Sequence, residues 1–194
     1  QAATFERLVV GQMQETLGPK PGDEPIAHYL QVLSDKTGSL IASAAEMGIR
    51  MADGPEALIP AVRAFGEKIG IAFQLVDDVI DLSDRSAGTG KPPGTDVRHG
   101  VTTLPVLYLR EAAKVDPAAK ELVATLARGA TGELSEDEFQ KAITELRHHE
   151  VTEATMQTAR DMADQAIAYL DDAPSGIVKE GLVRFAHHVV DRSY

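Results

Sequence analysis

The chain has 194 residues and a formal net charge of −11, from 19 Lys+Arg against 30 Asp+Glu. Such acidity works against nucleic-acid binding, which needs a basic surface, and no apolar stretch approaches the roughly 18–20 residues of a membrane span. There is no cysteine, which excludes disulfides, thiolate metal sites and thiol nucleophiles and suits a cytoplasmic location.

Apolar residues recur at helical spacing throughout, and nothing reads as a strand. Aromatic residues make up only 5% and Trp is missing, so Ala, Leu, Val and Ile must fill the core, as suits packed helices. Leu8, Val9, Met13 and Leu17 mark a first helix that Gly18-Pro19 and Pro21-Gly22 stop. Asp23-Glu24-Pro25 pairs an acidic cap with proline in the first turn and starts a second helix, expected to run unbroken to about Gly48. Asp53-Gly54-Pro55 opens the longest pattern, to about Ser83. Residues 84–101 form the one long loop, rich in Gly and Pro; a loop of this length is more often functional than accidental. Further helices are expected over 102–113, 117–128, 136–149, 151–172 and 177–192, punctuated by Asp116-Pro117, Ser135 and Pro174. The whole of 1–194 reads as one all-α domain. It opens at Gln1 directly in helix-like sequence, so a missing upstream segment is expected.

The segment Phe73-Gln74-Leu75-Val76-Asp77-Asp78-Val79-Ile80-Asp81 carries the chemistry. With Asp77 at zero on a helical wheel, Asp81 falls at about 40°, Asp84 at about −20°, Gln74 at about 60°, and Asp78 about 100° to the side. Gly66 and Gly70 fall on the same face, while Ile71, Ala72, Leu75, Val79 and Leu82 form the apolar side. Stacked carboxylates repel one another. A hard divalent cation removes that cost, and Mg²⁺ is usually held between a few carboxylates and the phosphates of a ligand. A solvated acidic face is the plainer alternative, but Asp77–Asp81 lies inside an apolar run. Lys36-Thr37 sits within another apolar helix, where a lone lysine is normally a snorkelling surface residue. Gly90-Lys91-Pro92-Pro93-Gly94-Thr95-Asp96 adds glycines and a positive charge just after the acidic stripe.

Lys36-Thr37, Phe73-Gln74-x-x-Asp77-Asp78-x-x-Asp81, Gly90-Lys91, Gly94-Thr95-Asp96, Gly100 and Thr103-Leu104-Pro105 together resemble the trans-polyprenyl diphosphate synthases, in order and spacing. The resemblance implies the all-α isoprenoid-synthase bundle, here without its N-terminal helices, and a prenyltransferase. Such an enzyme condenses an allylic diphosphate with isopentenyl diphosphate into a longer trans-polyprenyl diphosphate. It further implies Mg²⁺ on Asp77, with Asp78 and Asp81 in or near its water shell, and a leaving diphosphate held by Lys36 and Lys91. Thr37 and Gln74 would turn oxygens toward the developing allylic cation, and the enzyme would be a homodimer. The family's first Asp-rich motif and its isopentenyl-diphosphate-binding residues are not found here, so the 194 residues alone are expected to be inactive. Where many members carry Lys before Thr-Leu-Pro this chain has Val101, with Arg98 nearby as a weaker site candidate. A same-fold terpene cyclase, a head-to-head synthase and a non-catalytic helical fragment are the alternatives. His148-His149 and His187-His188 are set aside as metal ligands because adjacent helical residues point about 100° apart. Met47 and Met51 are expected as core filler.

Overall fold

The computed structural model describes residues 2–83 and 92–192. Among these residues every regular element is helical. The chain divides into two compact units: the residues up to Gln74 together with Thr158–Arg192, and Leu75–Gln157.

In the first unit, α1 spans Ala2–Leu17. Helix α2 (Pro25–Leu33) begins as its sequence dictates: Glu24 accepts from the Ala27 N–H at 2.8 Å, and Pro25 takes the first turn, where no N–H partner is needed. The unbroken helix expected to Gly48 is interrupted. Ser34–Gly38 forms a wide π-helical turn in which the Ser39 N–H reaches back five residues to the Ser34 carbonyl; α3 then runs Ser39–Met51. A short 3₁₀ turn, Glu56–Leu58, leads into the long helix α4, Ile59–Asp81, which continues into the second unit.

The glycine face of α4 meets α3 at Gly66 and the wide turn at Gly70. It is a packing surface. A Cβ on Gly66 would lie 2.8 Å from the Ala42 Cα, and one on Gly70 only 2.5 Å from the Gly38 Cα. Two backbones meet where neither can carry a side chain. Val62, Phe65, Ile69, Ile71 and Ala72 are buried around that contact. Met47 and Met51 also depart from expectation. Met51 is 82% exposed because α3 ends there, and Met47 stands at the rim of a cavity.

In the second unit, α5 (Thr95–Arg98), α6 (Leu104–Ala112), α7 (Pro117–Ala130) and α8 (Glu136–His148) surround a core of Leu82, Val97, Leu109, Leu122, Phe139, Ile143 and Leu146. Asp116 caps α7, accepting from the Ala118 N–H at 2.9 Å. Ser135 and Glu138 form a reciprocal capping box on α8. Helix α9 (Glu150–Ala168) leads back to the first unit, where α10 (Ile177–Val190) completes the described helices.

Candidate functional site

The wide turn carries Lys36 and Thr37. Its extra residue rotates the side chains beyond it by about 100° relative to a continuous α-helix, the sort of local irregularity that collects at functional positions. Thr37 Oγ1 donates to Gln74 Oε1 at 3.2 Å, which joins two of the expected site residues directly. With its proton engaged there, the hydroxyl offers lone pairs in other directions. Lys36 Nζ pairs with Glu15 Oε2 of α1 at 2.6 Å, a partner that the sequence pattern does not reveal.

Beneath the turn lies a polar cluster. Arg7 Nε donates to Asp35 Oδ1 at 2.8 Å; Nη2 donates to Ser34 Oγ at 3.1 Å; Nη1 and Nη2 each reach a Glu67 oxygen at 3.2 Å. Ser34 Oγ donates onward to Glu67 at 2.5 Å, and Gln31 Nε2 to Asp35 Oδ2 at 2.9 Å. Burial pushes the Glu67 carboxyl up, but the hydrogen bonds from Arg7 and Ser34 outweigh it and hold the group below the usual glutamate value. The hydrogen bond to Glu67 is the largest influence on Arg7, and its guanidinium is held further above its usual value. Alongside is a cavity of about 380 Å³ lined by Arg7, Ser39, Glu46, Arg50 and Arg63 among others. Its arginines are already matched, since Glu46 accepts from both Arg50 and Arg63.

The carboxylates of α4 lie in the second unit. Asp77 and Asp81 are partly exposed and one turn apart, while Asp78 is buried at 6% exposure. Asp81 also anchors the chain that returns from the loop. Its carbonyl accepts from the Gly94 N–H at 2.8 Å, and its Oδ2 accepts from the Asp96 N–H at 3.1 Å. Gly94 has φ +75°, and a Cβ there would lie 2.5 Å from Ile143. Both facts call for glycine. The segment Gly94-Thr95-Asp96 is thus a docked helix start. Among the described residues no three His, Asp or Glu side chains converge as a ready metal cage. A Mg²⁺ site does not require one: it uses one or two carboxylates and takes its remaining oxygens from phosphate and water. Asp77, Asp78 and Asp81 offer only oxygen donors, the donor type that Mg²⁺ takes, with no nitrogen or sulfur ligand among them.

Lys91, Gly90 and Asp84 lie outside the described residues. The Arg98 guanidinium stacks 4.4 Å from the Phe139 ring centroid and donates to Glu136 at 2.7 Å, tying α5 to α8. Arg192 lies 4.2 Å over the Phe73 ring and donates to the Phe73 carbonyl at 3.3 Å, a contact that sequence reasoning missed. Nothing local in either segment signals it.

Residues 1–146 match the polyprenyl synthetase family. A nonaprenyl diphosphate synthase of Mycobacterium tuberculosis is 38% identical over 189 residues, covering 95% of this chain and 54% of that protein. A crystal structure of geranylgeranyl pyrophosphate synthase from Corynebacterium glutamicum, complexed with calcium and isoprenyl diphosphate, superposes with a TM-score of 0.83 at 40% identity. The match covers 98% of this chain and 58% of that one. A polyprenyl synthase from Caulobacter crescentus, also complexed with calcium and isoprenyl diphosphate, gives 0.83 at 30% identity over 98% of this chain and 57% of its own. The chain spans a little over half the length of each of these relatives. With the family matched over three quarters of its residues and an all-helical fold in agreement, the chain belongs to the polyprenyl synthetase family.

Proposed function

We propose that these residues supply the leaving-group side of a prenyltransferase that joins an allylic diphosphate to isopentenyl diphosphate with trans geometry. The observation that carries the reading is the Thr37–Gln74 hydrogen bond beside Lys36 on a wide turn, in a chain whose α4 ends in Asp77-Asp78-Val79-Ile80-Asp81. The calcium and isoprenyl diphosphate in the Corynebacterium glutamicum relative support a hard cation with a diphosphate. Mg²⁺ bound at Asp77, with Asp78 and Asp81 in or near its water shell, would neutralise charge building on the leaving diphosphate.

The chain's own residues do the rest. Lys36 exchanges the Glu15 carboxylate for phosphate oxygens, and Lys91 adds a second cation. As the allylic C–O bond breaks, the pyrophosphate oxygens gain negative charge and the allyl carbon becomes cationic. Lys36 stabilises the first. The oxygens of Thr37 and Gln74, held together by their hydrogen bond, face the second. Preorganised dipoles of this kind need no rearrangement as the charge develops. The double bond of isopentenyl diphosphate then attacks the cation, and loss of a proton restores neutrality. A cytoplasmic homodimer completes the proposal. Phe5, Met13 and Leu17 on α1 are 56–77% exposed, a surface that a second copy would cover.

A chimera tests the reaction: residues 1–194 replace the matching stretch of the Corynebacterium glutamicum enzyme, and the dephosphorylated products are separated. Linear elongated prenols that disappear in Asp77→Ala and Lys36→Ala support the reading. Cyclised or cyclopropyl products, or undiminished turnover in both variants, overturn it.

A further inference from the structure

We propose that Arg7 is a positioning residue: its guanidinium holds the wide turn Ser34–Gly38 in the shape that presents Lys36 and Thr37. The inference rests on the reading of those two residues as substrate-facing. A π-helical turn is strained relative to the α-helix on either side of it, and Ser-Asp-Lys-Thr-Gly has no local preference for one. Something outside the segment must select it.

Helix α1 supplies that selection from one face. Arg7 binds Ser34, Asp35 and Glu67 at once, joining the turn to α4. One helical turn on, Gly11 lets α1 come close: a Cβ there would lie 2.9 Å from the Asp35 Cβ and 3.2 Å from the Lys36 backbone nitrogen. Asp35 is only 7% exposed, and a buried carboxylate must be paired. Gln31 supplies one neutral donor, and Arg7 supplies the charge. Ser39 Oγ donates to the Asp35 carbonyl at 2.6 Å and closes the turn from its far end. A planar fork is needed because a lysine ammonium cannot meet three groups in these directions together. Without the fork, Asp35 must seek water. Relaxing the turn to α-helical register then rotates the side chains after it by about 100°.

Amide hydrogen exchange on the 194-residue chain tests this, with Arg7→Lys as the first variant and Glu67→Gln as a second that keeps shape and volume. Both are expected to fold with unchanged far-UV circular dichroism. The Lys36–Ser39 amides should exchange about tenfold faster, the equivalent of one charge-assisted hydrogen bond, with the amides of α7 and α8 unchanged. Affinity for inorganic pyrophosphate in Mg²⁺ should fall about tenfold in Arg7→Lys, in the same direction as in Lys36→Ala. Unchanged exchange at Lys36–Ser39, or a uniform rise that includes α7 and α8, overturns the positioning role and leaves the reading of Lys36 standing. Altered exchange with pyrophosphate affinity intact in Lys36→Ala sinks the reading of Lys36, and the positioning role with it.

Discussion

Replacing Gly70 by alanine sets two effects of opposite sign against each other. Alanine is the better helix former, by about 1 kcal/mol in a helix interior. At Gly70 the added Cβ would stand 2.5 Å from the Gly38 Cα, 2.8 Å from its nitrogen and 3.0 Å from the Thr37 carbonyl carbon. Comfortable carbon contacts lie at roughly 3.5–4.0 Å, so α4 and the wide turn must part by about 1 Å. The atoms in the way are backbone and cannot swing aside. Overpacking costs about 1–3 kcal/mol, and with only backbone in the way the cost falls at about 2–3, so against the gain of about 1 the net result is a loss of about 1–2 kcal/mol. For a chain of this size Tm should then fall by roughly 2–8 °C. Gly48→Ala is the matched control. That glycine is helical and exposed, and a Cβ there meets nothing within 4 Å, so Tm should rise by roughly 2–4 °C. Calorimetric melts of the two variants beside the parent decide the matter. A Gly70→Ala protein as stable as the parent, or more so, refutes the claim that the glycine face is a backbone contact.

Three further outcomes rest on the same structure. Gly94→Ala faces a left-handed backbone and Ile143; the flexible end of Ile143 can yield but φ +75° cannot, so Gly94→Ala should cost about 2 kcal/mol by urea denaturation and only somewhat less when introduced into an Ile143→Ala background. Ser135→Ala removes the capping box of α8 and should cost about 1 kcal/mol by the same measurement. Glu67 has a folded-state pKa below its unfolded one, so its contribution is full above the ordinary glutamate range, near ~4.3, and is lost as pH falls through the lower folded value. The urea midpoint of Glu67→Gln should therefore fall less than that of the parent between about pH 5 and pH 3, by a margin kept small by the residue's partial exposure; identical acid slopes would contradict it.

How legible the molecule is in its sequence depends on how local the causes are. Asp116-Pro117, Ser135 with Glu138, and Glu24-Pro25 act within three residues of themselves, and each starts a helix where the pattern places it. The apolar side of α4 is likewise read from periodicity, and Leu75, Val79 and Leu82 are buried as expected. The wide turn is invisible in Leu33-Ser34-Asp35-Lys36-Thr37-Gly38 because its partners, Arg7 and Glu67, lie 28 and 32 residues away from Asp35 in sequence. The same holds for Glu15 beside Lys36, and for Arg98, whose ring partner Phe139 sits on another helix. The glycines of α4 align with the acidic residues on a wheel, but the wheel carries no record of what approaches them.

The proposed function assigns a cation and a diphosphate to the aspartates at the end of α4 and phosphate contact to Lys36. Calorimetric titration of inorganic pyrophosphate into the 194-residue chain, with and without Mg²⁺, tests it most directly. Binding should need Mg²⁺, be lost in Asp77→Ala and weaken at least tenfold in Lys36→Ala, the equivalent of about 1.4 kcal/mol. Binding that ignores Mg²⁺ and survives Asp77→Ala would contradict it.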